Sequence, residues 1–96
     1  AGLHPNCIDW LHDREISVLG CDGVSDVLPG NHPDDWVMPI HQTVIVAMGV
    51  HLLDNLRLDR LAAACNQHSQ WSFLFTVAPL RVEGGTGSPA NPIALL

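Results

Sequence analysis

Apolar positions change period several times along the chain, and the changes mark the predicted elements. The clearest block is Pro39 to Leu56, PIHQTVIVAMGVHLLDNL. Pro39 suits a first helical position, where no N–H donor is needed. Ile40, Val44, Ala47 and Met48 then recur at helical spacing, and Gly49 supplies a stop. Val50 to Leu53 follow as a short apolar run, read as a buried strand. The prediction is helix, turn, strand, with His41 in the first helical turn and Asp54 at the carboxyl end of the strand. In open α/β sheets that end is where ligands bind.

Upstream, Leu3 to Arg14 reads as a helix, with Pro5 in its first turn and Cys7, Ile8 and Leu11 on one face. Ile16 to Cys21 reads as a strand that stops at Asp22-Gly23. Gly23 to Met38 is rich in Gly, Pro, Asn and Asp and predicts an irregular loop, with Trp36 and Met38 fastening its far end. Loops of this length are commonly functional lids or disordered segments.

Downstream, Leu56, Leu61, Ala62 and Cys65 predict a short amphipathic helix, with Asp59 near its positive end. Asn66 to Gln70 reads as a polar loop. Ser72 to Val82 alternates as a strand, interrupted at Pro79. The glycine-rich Glu83 to Pro89 leads to a last strand, Ala90 to Leu96, weakened by Pro92 and able to pair antiparallel with the one before. There is no internal repeat. The order predicts an α/β fold of three to four mixed strands with about three helices, in a single domain spanning residues 1–96.

Composition narrows the function classes. The 96 residues are 47% hydrophobic and 15% charged, without lysine or tyrosine, which suggests part of a larger core or a tight oligomer. A net charge of −6 with no basic cluster argues against nucleic acid and anionic membranes as partners. The longest apolar run, Val44 to Val50, is too short to span a bilayer. The chain starts at Ala1 and lacks a signal-peptide pattern, so it is expected to be trimmed or a piece of something longer. Cys7, Cys21 and Cys65 are odd in number and widely spaced, which fits reduced, mostly buried thiols and a cytoplasmic location.

The chemistry worth testing centres on His41 and Asp54. A histidine and a carboxylate suit Zn²⁺ or Mn²⁺ and equally suit general acid–base work, although zinc takes three or four protein ligands. The bland alternative has Asp54 capping the next helix and His41 as a satisfied polar residue. His51, among apolar neighbours, reads as a hydrogen-bonded core histidine. His4, His12, His32 and His68 read as surface residues. Asp22, Ser25 and Asp26, in CDGVSD, follow a strand end and are candidates for substrate contacts or for turn chemistry. GGTGSP has Ser88 where a phosphate-binding loop needs lysine, and no dinucleotide glycine pattern occurs, so no cofactor-binding residues are predicted.

Three blocks in combination, GLHPNCIDWLHDREISVLGCDGVSD, PIHQTVIVAMGVHLLDNL and FLFTVAPLRVEGGTGSPANPIA, resemble the carboxyl-terminal third of the cyclase family. That family comprises metal-dependent hydrolases such as kynurenine formamidase (arylformamidase) and isatin hydrolase. The resemblance implies part of a swivelling β/β/α domain and hydrolysis of C–N bonds in amides with zinc or manganese. The family's principal metal motif, HxGTHxDxPxH, is absent from this chain. Second-metal ligands of the family map onto His41, which would also be the catalytic residue, and onto Asp54. Asp54 stands where the family more often has glutamate, and its spacing from His41 is one residue longer than in the formamidases. The resemblance thus implies a truncated hydrolase, inactive alone and without its own cofactor, acting with a missing amino-terminal half or as a homo-oligomer. The alternative is a non-enzymatic module, formed by oligomerisation, that binds a small ligand near Trp10, Trp36 or Trp71.

Overall fold

The computed structural model describes residues 2–27 and 37–96. The centre of the long predicted loop, with His32 and Trp36, lies outside the described residues. The chain divides into two compact units, Ala1–Leu58 and Asp59–Leu96. Among the described residues, the four strands form two separate pairs, one parallel and one antiparallel, accompanied by three helices and a short 3-10 turn, as the α/β reading expects.

In the first unit a short 3-10 turn, Pro5–Cys7, runs into helix α1, Ile8–Asp13. Strand β1, Val18–Gly20, pairs in parallel with β2, His51–Leu53, in the register Val18↔His51, Leu19↔Leu52 and Gly20↔Leu53. Parallel neighbours need a crossover between them. The helix His41–Ala47 lies within this crossover, and its geometry is π rather than the expected α. Its widened turn shows in the Met48 N–H, which reaches back five residues to the Thr43 carbonyl at 3.0 Å. Gly49 then ends it at φ 67°, and the Val50 N–H bonds the Val44 carbonyl at 2.9 Å. The predicted glycine stop is thus realised as a left-handed cap.

The helical spacing seen in sequence delivers Ile40 and Val44 to the core, where they join Leu11 and Val50. Leu3, Ile8, Ile16, Leu19, Met48 and Leu52 pack around these. His51 corrects the sequence reading. It is exposed at the start of β2 while Val50 before it is buried, so the apolar context does not make it a core residue.

In the second unit helix α2, Asp59–His68, extends through Asn66 to His68, where the sequence predicts a loop. The polar end stays helical because Ser69 adopts φ 51° and the Gln70 N–H closes on the Cys65 carbonyl at 3.0 Å, satisfying a terminal carbonyl. Strands β3, Leu74–Thr76, and β4, Ile93–Leu95, pair antiparallel. Each is shorter than its apolar run, in keeping with the prolines at 79 and 92. A turn closed by the Gly85 N–H on the Val82 carbonyl, with Gly84 at φ 71°, lies in their connection. Among the described residues, no helix is long and apolar enough to cross a membrane.

Candidate functional site

The carboxyl ends of β1 and β2 carry the polar cluster of the first unit. Beyond the strands the pairing continues: the Cys21 N–H bonds the Leu53 carbonyl at 3.0 Å, and the Leu56 N–H bonds the Cys21 carbonyl at 2.8 Å. The Asn55 N–H, on a residue at φ 58°, reaches the Gly23 carbonyl at 2.9 Å. Cys21 and Asp54 are therefore held side by side at one sheet end. The segment after Gly23 is anchored from its other side, where Leu3 and Asp26 form a parallel bridge. In that bridge the Leu3 N–H donates to the Ser25 carbonyl at 2.7 Å, and the Val27 N–H donates to the Leu3 carbonyl at 3.2 Å. Gly2 is needed there: at φ 112°, a Cβ would lie 2.1 Å from the Asp26 carbonyl oxygen.

This backbone frame turns four side chains toward one another. Asp26 is fully buried at its side chain, and its Oδ1 accepts the Ile40 N–H at 2.7 Å. Its Oδ2 accepts the His41 N–H at 3.1 Å and meets His41 Nδ1 at 2.6 Å. On the far side of the ring, His41 Nε2 stands 3.0 Å from Asp54 Oδ2. Asp54 Oδ1 accepts from the Ser25 hydroxyl at 2.5 Å and from the Ser25 N–H at 3.1 Å. The result is a continuous chain, Asp26–His41–Asp54–Ser25. Its outer ends are buried, whereas the His41 and Asp54 side chains keep 24% and 21% of their surface, so the less buried link is the His41–Asp54 pair.

Of the residues singled out in sequence, the structure thus brings together His41, Asp54, Ser25 and Asp26. Asp22 sits apart, exposed in the turn after β1 and without a hydrogen bond or ion pair among the described residues. Ser25 and Asp26, expected to face substrate, turn their polar atoms inward to Asp54 and His41. The helix-capping alternative for Asp54 is overturned, because α2 starts only at Asp59 and Asp54 bonds back to Ser25 and His41. Cys21 joins the cluster although sequence reasoning gives it no role there. Its thiol donates to the Gly23 carbonyl at 2.8 Å and lies 3.5 Å from Ser25 Oγ and 3.7 Å from Asp54 Oδ1. Its one sequence signal is its position at the end of the predicted strand.

The donor set can be tested against a metal ion. Ligands about 2.0–2.1 Å from a tetrahedral zinc lie about 3.3 Å from one another. The 3.0 Å between His41 Nε2 and Asp54 Oδ2 is close to that edge. Imidazole and carboxylate both suit zinc and manganese. The pair fits as one edge of a metal site and does not complete it: among the described residues, no group of three or more His, Cys, Asp or Glu side chains is arranged to hold an ion.

Comparison with known proteins agrees with the fold-level part of this picture. No family model matches the chain, and no curated protein matches it. Among solved structures, the chain is similar to the crystal structure of a novel cyclase, with a TM-score of 0.83 and 25% sequence identity over 99% of this chain. The chain spans 30% of the length of that cyclase. This likeness supports the cyclase-family resemblance of the sequence, with the chain corresponding to a part of such a protein.

Proposed function

We propose that this chain is the carboxyl-terminal part of a cyclase-like, metal-dependent amidohydrolase acting on C–N bonds of small amides, of the arylformamidase type. The observation that carries the reading is the partly buried His41–Asp54 pair at 3.0 Å, set at the carboxyl end of β1 and β2 in a fold that superposes on a cyclase. In this reading His41 Nε2 and Asp54 Oδ2 are two ligands of a zinc or manganese ion, and the remaining ligands come from outside the described residues.

A metal bound there would lower the pKa of a coordinated water to about 7 and polarise the substrate carbonyl. The chain's own residues supply the setting. Asp54, fixed through Oδ1 by both Ser25 donors, presents Oδ2 to His41 Nε2. His41, its Nδ1 held by Asp26, presents Nε2 beside it and orients that ligand atom. The test is hydrolysis of N-formyl aromatic amines by the protein assembled with its partner segment or with further copies. Activity that is lost in both His41→Ala and Asp54→Ala supports the reading, and activity that survives either substitution overturns it.

A second reading, a non-enzymatic module built by oligomerisation, draws on the exposed apolar residues of the second unit. Leu74 and Leu95 are paired in register and remain 66% and 56% exposed. Trp71 is also exposed, as is Trp10, which lies beneath the Arg14 guanidinium in the first unit. A metal-free oligomer that binds an aromatic ligand with a change in tryptophan fluorescence would favour this reading over the first.

A further inference from the structure

The geometry points to Asp26 as a positioning residue that fixes the tautomer of His41, so that Nδ1 carries the proton and Nε2 is committed to whatever faces Asp54. Both oxygens of Asp26 already accept a backbone N–H, from Ile40 and from His41, where the chain enters the helix. Oδ2 already accepts the His41 N–H, so the face it turns to the ring is that of an acceptor. At 2.6 Å from Nδ1 it takes Nδ1–H as the donor.

The far side of the ring follows from that assignment. With Nδ1–H donated to Asp26, Nε2 is the ring nitrogen left to face Asp54 Oδ2, at 3.0 Å. A carboxylate behind a metal-binding histidine has this consequence generally, fixing ring orientation and raising ligand basicity. Ser25 does the equivalent for the carboxylate, since its N–H and hydroxyl both hold Asp54 Oδ1 and leave Oδ2 to face the ring. Asp26 and Ser25 are therefore assigned as supports for the His41–Asp54 pair rather than as contacts for substrate.

The functional meaning of this assignment rests on the metal-dependent reading above, but its test does not. Ring-nitrogen NMR on the ¹⁵N-histidine-labelled 96-residue chain, without metal, reads the protonation of each nitrogen of His41 directly. The expected spectrum has Nδ1 protonated in the wild type. In Asp26→Ala the acceptor facing Nδ1 is gone, so the proton should no longer be confined to Nδ1. A wild-type Nδ1 without a proton, or an Nδ1 as fully protonated in Asp26→Ala as in the wild type, overturns the assignment. The wild-type spectrum decides by itself if the variant does not fold.

A zinc titration of the assembled protein adds the link to function. Asp26→Asn should weaken binding about 10–100-fold, the usual cost of losing such a partner. Zinc affinity equal to that of the wild type contradicts the positioning role. If the wild type shows the Nδ1 proton and binds no zinc, the metal-dependent reading fails and the tautomer assignment stands.

Discussion

At the scale of single residues, Asp26 carries more of the site than its position in sequence suggests. It holds two backbone N–H groups and one ring nitrogen with a carboxylate that is fully buried. Asp26→Ala strands those donors away from water and should cost about 3 kcal/mol, since each hydrogen bond to a charged group contributes about 1.5–3 kcal/mol. His41→Ala keeps its backbone N–H on Asp26 and should cost less, about 1–2 kcal/mol. Ser25→Ala removes the hydroxyl on Asp54 Oδ1 and should fall in the same range, about 1–2 kcal/mol. Asp22→Ala, exposed in its turn, should stay within about 0.5 kcal/mol. Urea unfolding with unchanged slope checks the order. An Asp22→Ala cost as large as that of Asp26→Ala would contradict the assignment of the buried network.

At the scale of elements, the two glycines on either side of the crossover helix behave differently. Gly49 ends it at φ 67°, so Gly49→Ala forces a left-handed alanine and should lower stability by about 1–2 kcal/mol. A methyl group added at Gly23 would meet open space, and the backbone there has no positive φ. Gly23→Ala should therefore be neutral or stabilise by about 0.5 kcal/mol through the unfolded chain. Thermal unfolding of the two variants compares them. The Gly49 stop is legible in the sequence because a left-handed cap is a local demand on one residue. The core residues Ile40, Val44, Leu11 and Val50 are legible because burial follows helical and strand spacing. The links that build the site are not. Asp26 reaches His41 across 15 positions and Ser25 reaches Asp54 across 29, and no local period encodes such pairings. The convergence of His41 with Asp54 follows from the helix–turn–strand order. The π geometry between them does not, because apolar spacing over seven residues does not separate a π turn from an α turn. His51 misleads for a related reason: an apolar neighbourhood in sequence is not burial in space.

At the scale of the whole molecule, the second unit presents an antiparallel pair of three-residue strands with Leu74, Leu95 and Ile93 all at least 50% exposed. Leu74 with Leu95 and Thr76 with Ile93 are directly opposed and lie on one face of the pair. A two-stranded pair is marginal without further strands or packing. The chain also spans 30% of the cyclase it resembles in structure. Both facts agree with the proposal that further polypeptide covers this surface and completes the metal site. Light scattering should find more than one chain per particle, and Leu74→Ser with Leu95→Ser should shift it toward single chains. The most direct test of the metal-dependent reading is elemental analysis of the assembled protein purified without chelator, comparing wild type with His41→Ala and Asp54→Ala. The expected result is one zinc or manganese per His41–Asp54 pair in the wild type, lost from both variants. Metal-free wild-type protein, or metal that remains after either substitution, would contradict it.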